Sequence, residues 1–296
     1  MKTTPLALAL GALMAASGPQ AAPPDAKVVA ASPAQVAARE YDEVMAVTPD
    51  PVRGAKVYIT CAVCHRPDGW GSPDGDYPQI SGQLYTVIIK QLADIRARNR
   101  DNPLMYPFSV PRILGGVQEM ADVAAYVSRL PMTADNGKGP GTDLELGKRL
   151  YHEHCTKCHG ESGEGNPRDH IPAVAGQHYL YQVRQFDAIR SGARKNADPK
   201  MTQQIHGFTP QEESAVLDYT SRLTPAADKL AKPGWTNPDF PTYVPPPMSA
   251  TPRMPQPPAM PPIPQPPAMS PMPTPPAMPA MPPSMPPMPG TVPGRS

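Results

Sequence analysis

Two stretches of the chain carry the same spacing of apolar positions. Gly54, Tyr58 and Cys61 fall on one helical face at steps of four and three, and Gly147, Tyr151 and Cys155 repeat the pattern with one more residue before the cysteine. Further along, Val117, Met120, Ala124 and Val127 form one apolar stripe, and Ala215, Val216, Tyr219 and Leu223 form another. Each segment predicts an amphipathic helix. A glycine set against an aromatic residue would let the first and last helices of each set cross closely. Between them lie glycine-rich turns (Gly69, Gly71, Gly75; Gly160, Gly163, Gly165), an Ile/Val-rich stretch and a central helix. Strand signals are few, so the expected class is all-α. A further short helix is expected at Pro33 to Ala46.

The likeness is an internal repeat. Cys61 and Cys155 are 94 residues apart, as are Pro78 and Pro172, Gly82 and Gly176, and Gln83 and Gln177. Tyr126 and Tyr219 are offset by 93, and Met105 and Met201 by 96. Register that drifts so little indicates one fold used twice. The expected units are residues 50–132 and 142–224, with 133–141 as a linker. Its run Asn136-Gly137-Lys138-Gly139-Pro140-Gly141 has the composition of a flexible connector. Residues 23–49 are expected as an N-terminal extension and 225–296 as a disordered tail.

Both units carry the same pentapeptide pattern, Cys61-Ala62-Val63-Cys64-His65 and Cys155-Thr156-Lys157-Cys158-His159. C-x-x-C-H is the attachment signature of a c-type haem: two thiols on one turn add to the two vinyl groups, and the histidine faces the iron. All four cysteines of the chain are used. A four-cysteine zinc site would leave both histidines unexplained, and a thioredoxin-like dithiol needs a strand before its helix. The expected cofactors are two covalent haem c groups, bound by Cys61, Cys64, Cys155 and Cys158. His65 and His159 are the expected iron ligands.

The opposite face of each iron needs a second ligand or stays open. Met105 and Met201 are expected in matching Pro-containing loops, about 40 residues beyond their histidines and shortly before the last helix of each unit. A thioether suits an iron that cycles between two oxidation states; the plain alternative is that these methionines fill gaps. His206 is a rival ligand for the second haem. Met120 and Met132 read as packing, and His152, His154, His170 and His178 as surface or loop residues. Pro78 and Pro172 stand 13 residues after their histidines. A carbonyl there either accepts the other ring N–H of the ligand and raises its basicity, or marks an ordinary turn.

Composition adds a compartment and a tail. Lys2 followed by the apolar run Leu6–Ala16 and small residues reads as an export signal over 1–22, too short to span a bilayer. Haem c attachment follows export in bacteria, so the expected location is periplasmic. The formal charge of +1 gives no footprint for nucleic acid. Of 46 prolines, 24 lie from Pro241 onward, and Pro-Pro-Ala-Met recurs at 257–260, 266–269 and 275–278. Such density favours extended polyproline II without a core. The tail reads as a spacer or docking segment; its nine methionines also allow a Cu(I) site.

Taken together, the paired C-x-x-C-H units, each followed by Pro-x-x-x-Gly-Gln (Pro78 to Gln83, Pro172 to Gln177), resemble the dihaem cytochrome c4 group of class I cytochromes c. The likeness continues through Tyr85, Gln91, Tyr179, Gln185-Phe186 and Gly192-Ala193-Arg194 to Met105, Met201, Tyr126 and Tyr219. The first unit departs from it with Arg96-Ala97-Arg98 where Gly-x-Arg is expected. The resemblance implies two small helical folds with His/Met ligation, no catalytic residue, and single-electron transfer between respiratory partners, ending at a terminal oxidase. Rival readings are the cytochrome subunit of a periplasmic dehydrogenase or sulfur-compound oxidoreductase, a peroxidase-like protein with one open haem, and a copper-handling protein.

Overall fold

The computed structural model describes residues 30–242. The expected export signal, the Pro/Met repeats and the candidate Cu(I) methionines lie outside them. Among the described residues the fold is all-α, with two isolated bridges (Met132 to Leu230, Asn166 to Ile171) and no strand. No helix among them is long and apolar enough to cross a membrane.

The extension opens with α1 (Pro33–Met45), started by a Ser32/Gln35 capping box with proline at the first position. It is integral to the first unit. Val44 is fully buried in that core, and Glu40 pairs with Arg96 at 2.5 Å. Next come α2 (Pro51–His65), α3 (Tyr85–Arg96), the one-turn α4 (Tyr106–Ser109) and α5 (Pro111–Leu114), and α6 (Val117–Arg129). The Asp50 side chain accepts from the Val52 and Arg53 N–H groups and fixes the start of α2, a cap typically worth about 1 kcal/mol. The second unit comprises α7 (Leu144–His154), α8 (Thr156–His159), α9 (Tyr179–Arg190), α10 (Pro199–Ile205) and α11 (Pro210–Ser221).

In both units the first and last long helices cross at the expected glycine. A Cβ on Gly54 would overlap the Asp122 carbonyl, and one on Gly147 the Ala215 carbonyl. The paired tyrosines lie alongside, Tyr58 and Tyr126 with ring centroids 5.3 Å apart and Tyr151 and Tyr219 at 5.6 Å. The extra residue before Cys155 has a visible cost. α2 runs unbroken through both cysteines, whereas the second copy breaks between α7 and α8 at Cys155 (φ −113°, ψ −37°). Thr156 Oγ1 donates to the His152 carbonyl at 2.9 Å beside the break. Met120 and Met132 are buried, in line with packing roles.

Three sequence expectations are corrected. The 133–141 connector is held rather than flexible: Asn136 Nδ2 donates to the Gln177 and Ser221 carbonyls (2.8 and 2.9 Å), and Gly141 N–H donates to Asp218. Gly137 and Gly139 are there for lack of space, since a Cβ would overlap the Pro73 carbonyl in the first and lie 2.5 Å from Asp218 Cγ in the second. The disordered tail does not begin at 225. Residues 225–242 return to the first unit, with Trp235 against Trp70, Phe240 against Tyr58, and buried Asn237 donating to the Pro67 carbonyl. His178 is neither surface nor loop filler: it is fully buried at the start of α9, accepting from Gly137 N–H at 3.0 Å through Nδ1 and donating to the Trp70 carbonyl at 2.7 Å through Nε2.

Candidate haem sites

His65 ends α2 and His159 ends α8. Each ring places Nδ1 3.1 Å from a proline carbonyl, Pro78 O for His65 and Pro172 O for His159. A carbonyl only accepts, so Nδ1 carries the proton and the tautomer is fixed. Burial lowers the pKa of both imidazoles against the opposing pull of these carbonyls. Burial thus favours the neutral rings, and neither Nε2 has a hydrogen-bond partner among the described residues. Such an arrangement orients a metal-ligating histidine and makes it more basic.

The four thiols are free rather than paired in disulfides. Cys61 and Cys64 lie one turn apart on α2; Cys155 caps the break and Cys158 is on α8. Burial pushes the Cys61 thiol up to about 11 and the Cys155 thiol to about 12. A redox-active dithiol needs a lowered thiol pKa, so this chemistry is unfavourable here. A zinc site also finds no support, because no group of three or more His, Cys, Asp or Glu side chains gathers among the described residues. Neutral imidazoles with one free nitrogen and unpaired thiols on the preceding turn fit a haem joined through two thioether bonds.

Met105 and Met201 do not sit in equivalent local structure. Met105 is the residue before α4, and Met201 stands in the first turn of α10, which the Asp198 side chain caps. The Asp198-Pro199 pair reads as a loop from sequence but starts this helix, since proline suits the first helical position. Both methionines are half-buried, and Met201 packs on the core of the second unit. His206 is exposed at the end of α10.

The Gly-x-Arg departure is a matter of register. Arg98 has φ 61° and Gly192 has φ 74°, so Arg98 holds the left-handed position and Arg100 is the counterpart of Arg194. Arg96 instead lies in α3 and donates to Ser109 O, Gly115 O and Glu40. Arg100 and Arg194 meet where the units join. Arg100 donates to Gln91 and Gln185 (2.8 and 3.0 Å), and Arg194 donates to the same two amides (3.0 and 2.8 Å). Burial and the neighbouring Arg100 charge bring the Arg194 pKa down to about 10. Neither guanidinium has a carboxylate partner within ion-pair distance among the described residues. The offset of 94 links Arg100 to Arg194 and Gln91 to Gln185, and was the available signal.

A second set of contacts joins the units reciprocally. Gln177 accepts from Gln79 N–H (3.0 Å) and donates to Gln79 O (2.8 Å). Gln83 accepts from Ala173 N–H and donates to Ala173 O, both at 3.0 Å. Gln83 corresponds to Gln177 and Gln79 to Ala173, so the interface is isologous, like that of a symmetric dimer. From sequence these glutamines signal family likeness and not their role.

Comparison with known proteins agrees with this geometry. The family model described as Cytochrome c matches residues 51–131 and again 144–226. Cytochrome c4 of Thiocapsa roseopersicina is 33% identical over 191 residues, 59% of this chain and 93% of that protein. A thiosulfate dehydrogenase electron acceptor of Stutzerimonas stutzeri is 31% identical over 56% of this chain and 79% of its own. The crystal structure of reduced recombinant cytochrome c4 from Pseudomonas stutzeri superposes with a TM-score of 0.52 at 25% identity, covering 60% of this chain and all of that one. The chain belongs to the cytochrome c family, as a two-unit protein of the cytochrome c4 type with two covalently bound haem c groups.

Proposed function

We propose that the protein is a periplasmic carrier of single electrons, with one haem in each of the units 50–132 and 142–224. Cys61 and Cys64 would hold the first haem, with His65 and Met105 as its iron ligands; Cys155, Cys158, His159 and Met201 would serve the second. When bound, the haem supplies a one-electron Fe(III)/Fe(II) couple. The chain supplies what makes that couple useful. Nδ1–H donation to Pro78 O and Pro172 O fixes each ring and aims Nε2. The thioether sulfur of each methionine favours reduced iron and raises the potential. The observation that carries the reading is this ring-to-carbonyl lock, made twice at the same distance beside free thiols.

With a histidine and a methionine assigned to each iron, no residue is given a catalytic role, and the partners are redox proteins on either side: a periplasmic or membrane donor and a terminal oxidase. The likeness to a protein named as an electron acceptor of thiosulfate dehydrogenase favours a second reading of the donor side, a sulfur-compound dehydrogenase. Carbon monoxide tests the ligation. The ascorbate-reduced protein is expected to leave its Soret band unchanged, and Met105→Ala and Met201→Ala each to open one haem to the gas. A wild-type spectrum that shifts with carbon monoxide refutes the six-coordinate carrier. Mixing the oxidised protein with thiosulfate and a thiosulfate dehydrogenase, and the reduced protein with oxidase-bearing membranes, identifies the partners.

A further inference from the structure

The peptide group that holds each histidine also reaches across the interface. In the Pro78–Gln79 peptide the carbonyl oxygen accepts from His65 Nδ1 (3.1 Å), while the N–H of the same peptide donates to Gln177 Oε1 in the other unit (3.0 Å). The Pro172–Ala173 peptide repeats this, with His159 on its oxygen (3.1 Å) and Gln83 Oε1 on its N–H (3.0 Å). Each glutamine is held so that it cannot turn away. Its Nε2 donates to the next carbonyl of the other unit (2.8 Å to Gln79, 3.0 Å to Ala173). Its Oε1 also accepts its own following N–H, His178 for Gln177 and Leu84 for Gln83, both at 3.0 Å. Gln79 and Gln177 are buried, where hydrogen bonds polarise one another more strongly than in water.

We propose that Gln177 and Gln83 are crossed positioning residues: each helps to set the reduction potential of the haem in the opposite unit. The proposal rests on His65 and His159 being the iron ligands. A peptide whose N–H is hydrogen-bonded carries more negative charge on its oxygen, strengthening that oxygen as an acceptor by roughly 10–30%. The histidine Nδ1–H then donates more strongly, the ring becomes more basic, and oxidised iron is favoured. Each glutamine therefore lowers the potential of the haem across the interface. No proton is transferred along the path; its effect is polarisation.

The test uses the full two-haem protein. Potentiometric titrations of wild type, Gln177→Leu and Gln83→Leu are assigned to individual haems by the hyperfine-shifted methyl signals of Met105 and Met201. Gln177→Leu is expected to raise the potential of the first haem and leave the second; Gln83→Leu does the reverse. The expected size is about a two- to tenfold change in the oxidised-to-reduced ratio at a fixed ambient potential, about 59 mV at the tenfold end. Gln177→Glu retains an acceptor oxygen for Gln79 N–H and is expected to keep the first haem at or below its wild-type potential. A shift confined to the mutated unit, an equal shift of both haems, or no shift overturns the proposal, as does a raised first-haem potential in Gln177→Glu. If the ligand assignment itself is wrong, the wild-type protein will lack two low-spin His/Met signals before any variant is made.

Discussion

α7 and α11 approach each other closely at Gly147, and adding one methyl group there measures what the crossing is worth. In Gly147→Ala the new Cβ would overlap the Ala215 carbonyl and stand 2.9 Å from Tyr219 Cβ. The first obstacle is helix backbone, which cannot swing aside like a side-chain tip, so the two helices must separate. Separation loosens Leu150, Tyr151, Val216 and Leu217, which are buried in one cluster. Overpacking of this kind costs about 1–3 kcal/mol, and the better helix propensity of alanine returns up to about 1 kcal/mol. These terms leave a net loss of up to about 2 kcal/mol, which corresponds to a fall of up to roughly 16 °C in Tm for a unit of this size. Gly207 is the control, because a Cβ there meets nothing within 4 Å and its φ is not left-handed. Gly207→Ala is expected to be neutral or to stabilise by up to about 1 kcal/mol. Thermal unfolding of the haem-loaded proteins, followed by circular dichroism at 222 nm, reads both. Equal Tm values for Gly147→Ala and Gly207→Ala would refute the argument from close approach.

Two further outcomes follow from the corrected parts of the fold. Burial holds the His178 imidazole below its ordinary pKa, only partly opposed by the Trp70 carbonyl and Asp74 and reinforced by Lys138 and Arg66. The unfolded chain binds this proton near pH 6.5 and the folded chain only at lower pH. The contribution of His178 is thus complete above about pH 6.5 and declines as pH falls from there toward the folded-state value, by at most about 1.4 kcal/mol per pH unit. Denaturant titrations of His178→Gln should show a lower stability at neutral pH but a shallower loss on acidification; an unchanged slope would contradict the neutral, buried role. Asn237→Ala removes the donor to Pro67 O and to Tyr126 Oη (2.5 and 2.9 Å), at a cost of about 1–3 kcal/mol. Limited proteolysis should then cut within residues 225–242 while the second unit stays intact, and equal sensitivity of both units would argue against a returning segment.

Much of this protein is legible in its residues because the same solution is written twice. The repeat exposes the crossing glycines Gly54 and Gly147, the tyrosine pairs and the proline carbonyls, since each recurs at nearly constant offset. What the sequence conceals depends on contacts between the units. Gly137 and Gly139 look like a flexible link because composition does not show the Pro73 carbonyl and Asp218 that crowd them. His178 has no metal-like spacing, and its two partners, Gly137 and Trp70, come from the connector and the other unit. Arg100 was hidden by register: a left-handed arginine at position 98 stands where the other unit has Gly192. Residues 225–242 read as the start of a proline-rich tail, yet Trp235, Asn237 and Phe240 are anchors for the first unit.

The central claim is that each C-x-x-C-H segment binds its own haem. Intact-mass analysis of the secreted chain measures this directly, with Cys61→Ser/Cys64→Ser and Cys155→Ser/Cys158→Ser as variants. The account predicts the added mass of two haems on the wild type and of one on each variant. A wild-type chain that carries fewer than two, or a variant that keeps both, would contradict it.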